Sequence, residues 1–155
     1  MKINEISRYW QRCSGIPGGR WLFNRLIGYL IPYTGALKAN VIELKDGYAR
    51  LELKDRRGIR NHLNSIHAIA LTNLGEFASG IALVSQFKDN MRGIPKEIKI
   101  EFLKKARGLL SAECTTEIPA FEEELEHQVE ATIRDADEDI VAIVYVRWLL
   151  GYSKV

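Results

Sequence analysis

Cysteine and proline are scarce in this chain, with two of the former and four of the latter in 155 residues. Cys13 and Cys114 stand far apart, and neither has a CxxC or Cys/His spacing around it. Two reduced thiols in a cytoplasmic protein are therefore expected, without a disulfide framework or a cysteine-ligated metal. Three histidines without matching carboxylate spacing give no metal site either. Long hydrophobic runs are missing: the longest, Ile140 to Leu150, is broken by Arg147 and falls far short of the ~20 residues a membrane-spanning helix needs. The first residues carry Glu5 and Arg8 where a secretory signal would be apolar, so no stable membrane insertion is expected. An excess of one charge sign is lacking too. With 22 Lys and Arg against 20 Asp and Glu, the chain cannot build the field of a dedicated nucleic-acid binder.

What is present is a soluble-domain composition, 46% hydrophobic and 27% charged, in one domain over 1–155. Residues 1–33 read as an N-terminal helical segment and 34–155 as the core. Trp10, Trp21, Phe23, Leu26, Ile27 and Leu30 recur at helical spacing around the turn residues Gly15 to Gly19, which predicts two short helices. The second, Arg20 to Ile31, is apolar nearly all round and carries Arg20 and Arg25. It reads as packed on the rest of the fold, with a membrane-surface anchor as the alternative. Ala36 to Leu44 and Tyr48 to Leu53, joined at Asp46-Gly47, predict a hairpin, and the basic stretch Lys54 to His62 a loop.

From Ser65 to Gln86 there is no proline, and Ile66, Ile69, Ala70, Leu74, Phe77, Ile81 and Val84 recur at three- and four-residue steps, the pattern of one long helix. A second stripe is small: Ala68, Thr72, Gly75, Ser79 and Ala82. Side chains of that size let another backbone approach, which predicts a helix wrapped by a sheet. Strands are expected at Ile94–Lys105, Leu109–Glu117, Leu125–Arg134 and Ile140–Leu149, with the last turn at Asp135 to Glu138. The order predicts an α+β domain, one long central helix against an antiparallel sheet.

Polar groups concentrate at the start of that helix. Glu76 lies between Leu74 and Phe77 with no basic residue three or four positions on, so it is either a partly solvated rim carboxylate or one kept for chemistry. His67 reads as a capping or packing residue, His62 as a loop residue and His127 as a strand residue.

This order and spacing resemble the hotdog-fold acyl-CoA thioesterases of the phenylacetate-pathway and 4-hydroxybenzoyl-CoA-like branch. The pattern there is Asn, five residues, His-Gly-Gly, then a carboxylate nine positions after the His. Here Asn61 precedes His67 by six, Glu76 follows it by nine, and Ile100 to Gly108 is similar to the strand-to-turn segment after the helix. The resemblance spans residues 36–150 and departs at two points: Ala68 and Ile69 replace the two glycines, and Glu76 replaces the usual Asp. It implies a hotdog fold, hydrolysis of an acyl-CoA thioester without a cofactor, and coenzyme A entering only as part of the substrate. Glu76 would activate water or, as a second mode, attack as nucleophile. The Ala68 amide with the Asn61 side chain would polarise the carbonyl, and His67 would position water or substrate.

Nine residues of one α-helix rise about 13 Å and turn about 900°, so His67 and Glu76 of one chain point to opposite sides. Either the likeness fails at this point or each site is composite, shared between two copies; the resemblance to hotdog enzymes, which form such dimers, implies an obligate homodimer, or a dimer of dimers. Arg56, Arg57, Arg60, Lys104, Lys105 and Arg107 are candidates for the coenzyme A phosphates. A non-catalytic acyl-CoA- or lipid-binding hotdog dimer is the competing reading. The dehydratases of the same fold use a His-Phe-Pro context that is absent here.

Overall fold

The computed structural model describes residues 5–88 and 90–153. Three helices come first: α1 (Ile6–Ser14), α2 (Gly19–Leu30) and α3 (Pro32–Ala36). The hairpin β1 (Asn40–Lys45) and β2 (Tyr48–Leu53) follows, then α4 (Ala68–Val84) and four strands, β3 (Met91–Phe102), β4 (Leu110–Thr115), β5 (Glu124–Arg134) and β6 (Ile140–Tyr152). The strands form a single antiparallel sheet in the order β1-β2-β4-β5-β6-β3.

The hairpin forms where Asp46-Gly47 places it, and Gly47 adopts the left-handed conformation (φ 69°) that its turn requires. Alternation along β2 and β6 sends Leu51, Leu53, Val144, Val146 and Leu150 to the helix side, where they are fully buried. Against them α4 sets Leu74, Phe77, Ala78, Ile81 and Ala82, and its small stripe does what its size allows. A Cβ on Gly75 would collide with the whole isopropyl group of Val144, so only glycine lets helix and sheet come this close. Ser79 is also wholly buried, its hydroxyl donating to the Glu76 carbonyl at 2.9 Å.

Four expectations about element limits need correction. The N-terminal segment holds three helices, because Pro32 occupies the first turn of α3, where its missing N–H costs nothing. For the same reason Ala36 is helical and the first strand starts at Asn40. The long helix begins at Ala68, since residues 65 to 67 make the bonds that lead into it. The stretch 54–62 contains a 3-10 turn at Arg57–Ile59 and a bridge from Arg60 to Ile66.

The two edges of the sheet differ. At β1, Asn24 of α2 caps the strand twice: its Oδ1 accepts from Val41 N–H at 2.7 Å and its Nδ2 donates to Val41 O at 3.1 Å. The β3 edge has no covering element among the described residues; its helix-side residues Ile98 and Phe102 are exposed, as is Ile69 on α4. Trp10 packs edge-on against Phe23 at 5.0 Å to join α1 to α2, and Ser7 Oγ donates to Ser85 O at 3.1 Å to hold α1 against the end of α4.

Candidate active site

The start of α4 is held from both sides. Ile66 N–H donates to Ala106 O at 2.9 Å, His67 N–H to Ile59 O at 2.8 Å and Asn61 N–H to Ser65 O at 2.8 Å. Arg107 donates to the carbonyls of Asn64 (3.1 Å) and Leu63 (3.3 Å). Asp55, which sequence reasoning passed over, links the two flanking turns by accepting from Arg60 Nε at 2.7 Å and from Gly108 N–H at 3.1 Å. The Arg60 guanidinium, its largest influence, and the Gly108 amide hold its carboxyl below the usual range.

An α-helix opens with four amides that have no partner inside it, and here three of them are used. His67 is the N-cap, its Nδ1 accepting from Ile69 N–H at 3.1 Å, so the neutral ring carries its proton on Nε2. The His67 amide donates to Ile59 O and that of Ala70 to His67 O, which also accepts the first full helical bond from Leu71. The Ala68 amide is left without an acceptor among the described residues, at the positive end of the helix dipole. Asn61 braces the preceding turn: its Oδ1 accepts from Leu63 and Ser65 N–H and its Nδ2 donates to Ser65 Oγ at 3.3 Å, leaving one Nδ2 proton uncommitted among the described residues.

Glu76 sits elsewhere, two turns on and half-buried. Its carboxyl lines a cavity of about 140 Å³ whose other walls include Ile6, Ile31, Thr34, Phe77 and Trp148. No hydrogen bond or ion pair to it occurs among the described residues, and burial alone pushes its pKa above the ordinary glutamate value. The same neighbourhood holds two buried polar atoms without partners, Trp148 Nε1 and Asn73 Oδ1. The cavity walls come from both ends of the chain, so no local pattern announced them. Gly80 is the one nearby signal: a Cβ there would meet the Trp148 ring at 3.3 Å and approach Glu76 Oε1 to 3.9 Å. Along α4 the Ala68 amide and Glu76 are separated by about 12 Å of helix rise.

The predicted phosphate-binding cations divide. Arg60 and Arg107 line an open cavity of about 800 Å³ beside the start of α4, together with Lys54, Asp55 and Asn64. Arg57 and Lys105 are exposed nearby in sequence. Arg56 points the other way, its Nη2 donating to Ala36 O and Leu37 O. Lys104 is clamped between Asp135 and Asp139 at 2.7 and 2.6 Å, which raises its pKa. Cys114 is buried, its thiol pushed up to about 12 chiefly by desolvation, and so is inert. No group of three or more His, Cys, Asp or Glu suited to a metal occurs among the described residues.

Against known proteins, the model of a family described as Domain of unknown function (DUF4442) matches residues 19–150. The chain belongs to the DUF4442 family. No curated protein matches it by sequence. Among solved structures it is similar to the structural-genomics protein APC5556, with a TM-score of 0.81 at 24% identity over 97% of this chain and 99% of that one. A protein of unknown function from Pseudomonas aeruginosa, PA5026, named a probable thioesterase, gives 0.74 at 22% identity, covering 89% of this chain and 97% of its own. The PaaI protein of the E. coli phenylacetic acid degradation operon gives 0.70 at 17% identity, covering 99% and 97%. This DUF4442 chain therefore has the hotdog fold that its sequence implied, a fold it shares with proteins named as thioesterases. No helix of the described residues is long and apolar enough to cross a membrane.

Proposed function

We propose that this protein is an acyl-CoA thioesterase in which Glu76 is the general base. The observation that carries the reading is the half-buried carboxyl of Glu76, without a partner among the described residues, in an apolar cavity. Such a group is costly to the fold and raised in basicity, which suits proton abstraction near neutral pH. The thioesterase-like neighbours of the same fold support the class of reaction.

A water oxygen attacks the thioester carbonyl carbon while Glu76 takes the water proton. The oxyanion accepts a hydrogen bond from the Ala68 N–H, with the helix dipole behind it. Collapse breaks the C–S bond, and the thiolate leaves with the proton held by Glu76, giving a carboxylic acid and coenzyme A thiol. Because Ala68 and Glu76 of one chain cannot reach one carbonyl, the reading requires a homodimer with each site shared between the two copies. The β3 edge and the exposed Ile69, Ile98 and Phe102 are the surface proposed for that contact. Arg60 and Arg107, with Lys54, Arg57 and Lys105 around them, would meet the coenzyme A phosphates.

A second reading, a dimer that binds acyl-CoA without turning it over, is favoured by one observation. His67 occupies the Ile69 amide, which leaves a single donor where two could serve. Release of free thiol across acyl-CoA chain lengths separates the readings. Turnover abolished by Glu76→Gln supports the enzyme, and tight acyl-CoA binding with no release in the unsubstituted protein supports the binder.

A further inference from the structure

Apart from Leu63 and Leu109 in the loops beside the start of α4, the exposed large apolar side chains gather in two places. One is the α4 and β3 surface assigned above to the second copy. The other is the helical layer, where Ile16, Trp21, Leu22, Leu26, Tyr29 and Tyr33 are open to solvent, Trp21 at 66%, Tyr29 at 83% and Tyr33 at 73%. On α2 these residues lie opposite the buried Phe23 and Ile27. The two surfaces lie on different elements: α2 packs on β1 through Asn24, and β1 and β3 are the opposite edges of the sheet. A contact made through the β3 edge does not itself use α2.

Charge distinguishes this layer from the rest of the chain. Between residues 6 and 42 there are five cations, Arg8, Arg12, Arg20, Arg25 and Lys38, and no Asp or Glu. The chain's formal charge of +2 is thus a +5 segment joined to a remainder of −3. Nearby acidic groups are few. Glu5 is bonded to Arg8, and Glu43, within electrostatic reach of Arg20, is paired with Lys45. Arg25 lies over the Trp21 ring at 5.2 Å. Exposed Trp, Tyr and Leu beside unopposed Arg and Lys is the chemistry of a surface that lies at a lipid headgroup boundary: the rings seat among the headgroups and the cations meet anionic phosphates.

A third feature gives such docking a purpose. Trp21, Arg25, Tyr29 and Lys38 border a cavity of about 510 Å³ open at this face, and Thr34 and Phe77 line both this cavity and the one that holds Glu76. Those two side chains are the partition between the helical face and the carboxylate.

We propose that the α2–α3 face docks reversibly on anionic lipid bilayers and brings the Thr34–Phe77 partition against the membrane. The docking stands independently of the thioesterase reading. The test uses the full chain and vesicles of phosphatidylcholine alone or with phosphatidylglycerol, scored by co-sedimentation. Binding should require phosphatidylglycerol and weaken with added salt. Arg20→Gln with Arg25→Gln should weaken it about 30-fold, from roughly 1 kcal/mol per cation at the headgroups. Trp21→Ser with Tyr29→Ser should abolish it, while Arg134→Gln with Arg147→Gln, equal in charge and on β5 and β6, should reproduce only the small effect of net charge. Light scattering and thermal melts of each variant report assembly and folding. Equal binding to both vesicle types, no binding to either, or equal effects of the two charge pairs would overturn the proposal. So would a change of oligomeric state in the folded Trp21/Tyr29 variant, which would assign the face to a contact between copies.

Discussion

Replacing Glu76 by Gln separates a catalytic carboxylate from a structural one, because the two roles predict changes of opposite sign in stability and activity. The carboxyl is half-buried against Phe77, Trp148 and the N-terminal helices, and burial raises its pKa without any partner to offset it. The folded state therefore holds this proton more tightly than the unfolded chain. It follows that stability falls as pH rises from the ordinary glutamate range through the raised folded value, and that the full penalty stands above it. An uncompensated buried polar group costs about 1–3 kcal/mol, and half-burial puts Glu76 at the low end. The amide, similar in shape but never charged, should raise the melting temperature at pH 7.5 by roughly 2–4 °C and leave it unchanged at pH 4, where the wild-type carboxyl is protonated. Thiol release from acyl-CoA should meanwhile fall by about 10²–10⁴-fold, the usual contribution of a positioned general base. In the unsubstituted protein the rate of thiol release should rise with pH through the raised value. Turnover by the substituted protein at the wild-type rate would refute the general-base role, and melting below wild type at pH 7.5 would mean that the carboxylate holds the fold together.

The Ala68 donor can be deleted without shortening the helix. Proline is favoured at the first helical position, and His67 already has the extended conformation that a following proline requires (φ −65°, ψ 142°). Ala68→Pro should therefore keep the melting temperature within a few degrees and reduce kcat by about 10²–10³-fold; a full-rate variant would remove the amide from the mechanism. Gly75→Ala should destabilise by about 1–3 kcal/mol through overpacking against Val144, with Val144→Ala in the same chain restoring much of the loss in chemical denaturation. Asp55 has a lowered pKa, so its contribution is present above the unfolded carboxylate value and fades as pH falls through the folded one. Asp55→Asn should accordingly lower the melting temperature by a few degrees at pH 7 and flatten its acid dependence, and an unchanged acid profile would refute the linkage role.

How much of this was legible in the residues depends on how far each feature reaches along the chain. Helix α4 was legible because its signals are local: a three- and four-residue apolar rhythm and a small stripe whose middle member, Gly75, does meet the sheet. The Asp46-Gly47 hairpin was legible for the same reason. Element ends were less so, because one residue type serves two purposes. Pro32 opens a helix instead of closing one. Gly93 and Pro95, which break a strand pattern, are tolerated in β3 because it is the edge strand and its pairing with β6 is irregular between Pro95 and Glu97.

The site divides in the same way. The Asn61–His67–Glu76 spacing is a property of one stretch of chain and could be read directly. The cavity around Glu76 is assembled from Ile6, Ile31, Thr34 and Trp148 as well as α4, and a side chain's neighbours across such separations are fixed by packing alone. That is also why the cations fared unequally as phosphate candidates. Arg56 and Lys104 look like Arg60 and Arg107 in sequence, but the first is bonded to backbone carbonyls at the end of α3 and the second to the acidic β5–β6 turn, whereas Arg60 and Arg107 keep their place in the cavity wall while bonded to Asp55 and to the carbonyls of Asn64 and Leu63. Where a basic residue is bonded decides whether it still faces the ligand. Lys54, Arg57 and Lys105 have no bonded partner among the described residues. They are therefore the three positions at which a neutral substitution should weaken acyl-CoA binding without loosening the helix start, which Arg60 and Arg107 also brace.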